Sequence, residues 1–206
     1  MRWYLKPSID KNCILFFMSS KYKFSDNDYL YFVSFAVVQW IDVFTRVEYK
    51  NVIVNSLKYC QEKKGLELYA WVIMTNHVHL IIRSAKNSLS EIMRDMKKHT
   101  SLQMKDAIEN NSKESRKEWM MNLFCKAGKA NSNNNSFQFW QQDNHPIQLI
   151  TPKFIHQKLD YIHQNPVVAG YVDKPEEYLY SSARDYYGTG KGLLNVILID
   201  PLLITY

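Results

Sequence analysis

Hydrophobic positions along the chain fall into short β-type runs alternating with longer helix-type stripes. From Tyr29 to Val38 the residues are aromatic and β-branched, a composition suited to a pleated, buried surface, and they predict the first core strand. Arg46 to Lys64 sets Val47, Val54, Leu57 and Cys60 against Lys50, Lys58, Glu62 and Lys63, with Gly65 as a stop, and predicts an amphipathic helix. Leu66 to Met74 and His77 to Arg83 are two β-rich runs joined at Thr75-Asn76, the chemistry of a tight antiparallel hairpin. Ser88 and Glu91 then form a capping-box pattern, and Leu89, Ile92, Met93 and Met96 recur at helical spacing to about Lys105.

Periodicity fades over residues 109–136, which end in an asparagine-rich polar stretch and read as an insertion loop with a short helical piece around Trp119 to Phe124. Phe137 to Gln142 and Ile147 to Ile150 read as strand pieces broken at Asn144-His145-Pro146. Thr151-Pro152 opens a third helix, expected to stop near Asn165 because Pro166 disfavours continuation. Leu193 to Ile199 reads as an edge strand. Strands interleaved with helices around a hairpin predict an α+β fold. The preferred form is a ferredoxin-like (split βαβ) antiparallel sheet with helices packed on it. The organisation read from this is an N-terminal extension over residues 1–28, one domain over 29–187 and a C-terminal tail over 188–206.

Composition narrows the class. The chain has 206 residues, 46% of them hydrophobic and 22% charged, which suits one domain with a buried core and excludes a disordered chain or a coiled-coil rod. A formal charge of +6 favours a polyanionic partner. Cys13, Cys60 and Cys125 are odd in number and widely spaced, forming no disulfide framework or metal knuckle, and fit a reducing cytoplasm. The longest apolar runs fall short of the roughly 20 residues a membrane helix needs. Met18 offers a second start, which would make residues 1–17 an appendage.

Candidate chemistry lies in two places. In a strand, His77 and His79 point to the same face, about 6–7 Å apart at Cα, so the imidazoles can share one metal ion; ordinary sheet histidines are the alternative. In the third helix Tyr161 and Asn165 stand one turn apart on one face, where a phenol meeting a metal-bound phosphate has an amide oxygen beside it as a third metal ligand; a half-buried aromatic and a helix terminator are the alternative. Arg94, Lys97, Lys98 and Lys105 crowd the polar side of the second helix and can track a phosphate backbone, or simply be solvated. Arg184 lies among Tyr178, Tyr180, Tyr186 and Tyr187, which can stack unpaired bases or fill the core.

Taken together, Met74-Thr75-Asn76-His77-Val78-His79-Leu80 and Tyr161-Ile162-His163-Gln164-Asn165-Pro166-Val167, followed by Ala169-Gly170-Tyr171-Val172, resemble the single-tyrosine HUH transposases, and among them the REP-associated tyrosine transposases. Pro175 to Tyr178 and Tyr180 to Tyr186 match that family's usual ending, so the resemblance runs from about Tyr29 to Tyr187. It departs in its N-terminal appendage, its long 109–136 segment, Thr75 where proline is common, and Asn165 where related transposases use glutamine.

The resemblance implies that His77, His79 and Asn165 hold magnesium or manganese and that Tyr161 is the nucleophile. It implies cleavage and rejoining of single-stranded DNA bearing a hairpin, through a 5′-phosphotyrosine, by a homodimer that swaps the tyrosine helix or a monomer that keeps it. The competing reading is a non-catalytic single-stranded nucleic-acid-binding module of RRM-like fold. An inactive relative that retains the fold is a third.

Overall fold

The computed structural model describes residues 24, 28–131, 136–142 and 144–200. The readings placed on residues 1–23, Cys13 and Met18 among them, lie outside the described residues. A four-stranded sheet comprises β1 (Leu30–Ala36), β2 (Leu66–Ile73), β3 (His77–Ser84) and β4 (Ile147–Leu149) in the order β2-β3-β1-β4, with antiparallel neighbours throughout. Helix α1 (Val47–Tyr59) joins β1 to β2, and α2 (Leu89–Asn110) leads from β3 towards β4. This is the split βαβ order expected of a ferredoxin-like sheet, with α3 (Lys117–Lys129), α4 (Pro152–Val168) and the short α5 (Ala183–Tyr186) added.

Both sheet faces are covered, which explains why the strands read as nearly unbroken apolar runs rather than clean alternation. Tyr31, Val33, Phe35, Trp71, Ile73, Val78, Leu80 and Ile82 pack on one face beneath α1, α2 and α3. Phe32, Ala70, Val72 and Ile81 pack on the other beneath Leu159 and Ile162 of α4. The register of β2 on β3 shifts between Leu68 and Ala70, and the Tyr186 hydroxyl donates to the Tyr69 carbonyl at this bulge, tying α5 to the edge strand.

Several elements differ from the sequence expectation. The first helix widens into a π turn over Cys60–Lys64 before Gly65, whose φ of 74° closes it in the left-handed conformation. Within the segment read as an insertion loop, α2 runs on to Asn110 and α3 is a full helix. Its Met120 and Phe124 are buried against Phe137 and Phe139, partners supplied by a later part of the chain. Phe137 to Gln142 makes no strand; only Trp140 bridges, to Val37.

Helix α4 continues past Pro166 to Val168, because a proline in the last turn removes a single amide, and the chain then turns at Gly170, φ 74°. The stretch Leu193 to Ile199 is not a strand among the described residues. Its Ile197 amide makes one backbone bond to Leu68. Ser181 bridges antiparallel to Val72, with the Ile73 amide donating to the Tyr180 carbonyl and the Ser182 amide to the Trp71 carbonyl, so these segments together cover the outer edge of β2.

Candidate active site

Strand β3 is central in the sheet, and its period of two sends His77 and His79 to the face that α4 covers. Helix α4 begins at Thr151, whose hydroxyl accepts from the Phe154 amide while Pro152 occupies the first turn. It packs on the sheet through Leu159 and Ile162. Buried His163 fixes it further, with Nε2 2.9 Å from Ser182 Oγ, which itself accepts from the Trp71 amide. Burial pushes His163 down to about 4, so the imidazole is neutral. This anchoring brings Tyr161 over the histidines. Its hydroxyl lies 3.4 Å from His79 Nε2, and the two ring centroids are 5.1 Å apart. Tyr161 is nonetheless 48% exposed and open to an incoming molecule.

The two imidazoles stand edge to face at 4.7 Å. Asn76 determines the tautomer of the first. Its Nδ2 donates to the Trp40 carbonyl and to Asp42 Oδ1, so its Oδ1 is the atom that faces His77 Nδ1 at 2.7 Å. His77 therefore carries its proton on Nδ1 and leaves Nε2 as a lone pair. Burial lowers the His77 value, with Asp42 opposing. Burial, then His77 and Lys158, push His79 down to about 3. Both rings are neutral, the form that ligates a cation.

His79 Nδ1 is buried with no hydrogen-bond partner, an arrangement that costs about 1–3 kcal/mol unless something binds the ring. The orphaned nitrogen and the open Nε2 of His77 fit a divalent cation. Among the described residues no cluster of three His, Cys, Asp or Glu side chains exists, so a third protein ligand here would be of another type, such as an amide. Asn165 follows Tyr161 by one turn of α4 and is half-buried, but among the described residues no hydrogen bond joins its amide to either imidazole.

Lys158, absent from the sequence reading, stands one turn before Tyr161, with Nζ 5.6 Å from that ring, 4.8 Å from Phe32 and 5.5 Å from Phe154. It is a cation beside the phenol, and only the fold of α4 onto Phe32 reveals it. The basic residues of α2 lie apart, because α2 covers the opposite face of the sheet. Lys97 braces a loop there, donating to the Gln141 carbonyl and Asn144 Oδ1. Arg94 pairs with Asp95, Lys105 faces Glu109 at 3.9 Å, and Lys98 is exposed. Arg184 reaches the Glu176 carbonyl at 3.5 Å. The sheet thus gathers His77, His79 and Tyr161 and separates them from Arg94, Lys97, Lys98 and Lys105.

The family model described as "Transposase IS200 like" matches residues 32–137, from β1 through α3 and including both histidines. The chain belongs to the IS200-like transposase family. The matched span of this transposase ends before Tyr161. Among solved structures, one of a REP-associated tyrosine transposase bound to a REP hairpin matches with a TM-score of 0.57 at 16% identity, over 92% of this chain and 98% of that one. At that identity the likeness concerns the fold. A search of curated proteins found no significant match. Among the described residues no helix is long and apolar enough to cross a membrane.

Proposed function

We propose that this transposase cleaves and rejoins single-stranded DNA at hairpin-bearing repetitive or insertion-sequence ends, with Tyr161 as nucleophile and His77, His79 and Asn165 as ligands of magnesium or manganese. The observation that carries the reading is the meeting of the Tyr161 hydroxyl with His79, 82 residues apart in sequence, with the phenol half-exposed beside a buried His79 and a partly buried His77. Bound there, the cation supplies Lewis-acid polarisation of a phosphate oxygen.

The chain supplies the rest. Tyr161 Oη attacks phosphorus in line as its proton leaves. The bond from phosphorus to the 3′-oxygen breaks, giving a free 3′-hydroxyl and a 5′-phosphotyrosine. The ester keeps the phosphodiester's bond energy, so an incoming 3′-hydroxyl can reverse the step without ATP. Lys158 offers a positive charge to the phosphate beside the phenol. Arg94, Lys98, Lys105 and Arg184 serve as backbone contacts away from the cut, and Lys97 as a brace.

Residues 29–187 form the catalytic domain in this reading, which acts in the cytoplasm. Within one chain the Tyr161 hydroxyl reaches His79, so the chemistry can run in cis in a monomer; a homodimer that swaps the tyrosine helix is the alternative assembly. The test is a labelled hairpin-bearing single strand incubated with manganese. A gel-stable protein–DNA adduct is expected, lost in Tyr161→Phe and on chelation. Hydrolytic cutting that survives Tyr161→Phe, with no adduct from the unsubstituted protein, would refute it. Tight binding indifferent to chelator and to His77→Ala, without any cleavage, would favour the binding module instead.

A further inference from the structure

Between β1 and α1 the chain makes one tight turn over Val38–Trp40 in which Gln39 (φ 55°, ψ 20°) and Trp40 (φ 56°) are both left-handed. Two consecutive residues with a Cβ in this region are unfavourable, and such strain persists only where the surroundings over-determine it. They do here. Val37, Ile41 and Val43 are buried on either side of the turn. The Val37 amide donates to the Asn76 carbonyl and the Phe44 amide to the Thr75 carbonyl, lacing the turn to the tip of the β2–β3 hairpin. Asn76 Nδ2 holds the Trp40 carbonyl, and Arg116 Nη1 holds the Asp42 carbonyl.

The product of all this restraint is an indole that is 56% exposed, with its ring 5.7 Å from His77 and at 71° to it. Other large apolar side chains of this protein are as exposed, but Trp40 is held by a rigid left-handed turn at the rim of the imidazole pair, a placement that suits a flat ligand. On the other side of the same hairpin tip, half-exposed Tyr171 meets Thr75 through its hydroxyl and stacks on Tyr178.

We infer that Trp40 is a stacking platform for an unpaired base of the DNA strand, the nucleotide adjoining the phosphate held at the histidines. The inference rests on the reading of His77, His79 and Tyr161 as the cleavage site. Paired bases hide their faces inside a duplex, so a flat indole beside the site accepts only an unstacked nucleotide, and it helps select single-stranded over duplex DNA at the cut. Trp40 acts in binding and register; it transfers no group.

The test uses a stem-loop oligodeoxynucleotide with an unpaired thymidine tail, in which 2-aminopurine replaces each tail position in turn. It is mixed with the full chain carrying Tyr161→Phe in the presence of chelator, so that neither cleavage nor metal contributes. One tail position is expected to be quenched on binding. Adding Trp40→Ala removes that quench and weakens tail binding about tenfold, while Trp40→Phe keeps most of both. Trp40→Asn, which tolerates a left-handed backbone, keeps the fold should the alanine variant lose it, and is expected to lose quench and affinity alike. Unchanged quench and affinity in a folded Trp40→Ala or Trp40→Asn protein overturns the inference. Failure of the unsubstituted protein to form an adduct would strike the Tyr161 reading alone, since the quench is measured without cleavage.

Discussion

Glu114→Gln tests how the turn carrying Trp40 is held. The Glu114 side chain is fully buried and accepts from Arg46 Nε at 2.8 Å, from Arg116 Nε at 2.9 Å and from Arg116 Nη2 at 3.0 Å. The same guanidiniums reach the Lys113 and Asp42 carbonyls and Thr45 Oγ1, so one carboxylate clamps the α2–α3 connection onto the β1–α1 connection. Arg116 first, with Arg46 assisting and burial opposing, holds this carboxyl down at about 2, against an ordinary 4.5.

At about 1.4 kcal/mol per pH unit, that displacement corresponds to about 3 kcal/mol of preference for the charged form. Both arginines are one-third exposed and regain water when released, which brings the expected loss in Glu114→Gln at neutral pH to about 2 kcal/mol.

The sign of the pH dependence follows from proton binding. Between about 4.5 and about 2 the unfolded chain binds the proton and the folded chain does not, so this contribution is complete above 4.5 and is lost as pH falls through about 2. Urea unfolding of both proteins, from neutral pH downward, should show a gap of about 2 kcal/mol that narrows below about pH 4.5. A gap that stays constant through that window, or a variant as stable as the parent at neutral pH, would refute the clamp.

Gly128→Ala would drive a Cβ into the Phe137 backbone, so thermal melting should reveal a loss of about 1–3 kcal/mol, although alanine is the better helix former. Asn76→Ala removes the amide that orients His77. Titration calorimetry with manganese should show affinity falling about tenfold or more, while the far-ultraviolet circular dichroism is unchanged. His163→Ala removes one partner of the Ser182 hydroxyl, which keeps its bond from the Trp71 amide, and opens a hole under α4; urea unfolding should register about 2–4 kcal/mol. Tyr161→Phe deletes one long hydrogen bond at a half-exposed site, so its unfolding free energy should stay within about 0.5 kcal/mol of the parent's.

Local rules were sufficient for much of this protein. Strand β1, the β2–β3 hairpin, α1 and the start of α2 are legible because residues two or three to four apart share a face, and that spacing is written in the chain itself. The same rule puts His77 and His79 on one side of β3, and the joint occurrence of His77-Val78-His79 with Tyr161 and Asn165 pointed to the family.

What the sequence left open depends on partners distant along the chain. Helix α3 is stabilised by Phe137 and Phe139 arriving from beyond the asparagine-rich stretch. The tautomer of His77 follows from what Asn76 meets across the β1–α1 turn, and Lys97 is a brace because Gln141 and Asn144 fold back on it. Trp40 carries no periodic signal, since its exposure is imposed by a strained turn and by hydrogen bonds from a hairpin 36 residues later. Proximity of Tyr161 to His79 is likewise a matter of how Leu159, Ile162 and His163 seat α4 on the sheet. Patterns of polarity record which face of an element is buried, but not which surface buries it.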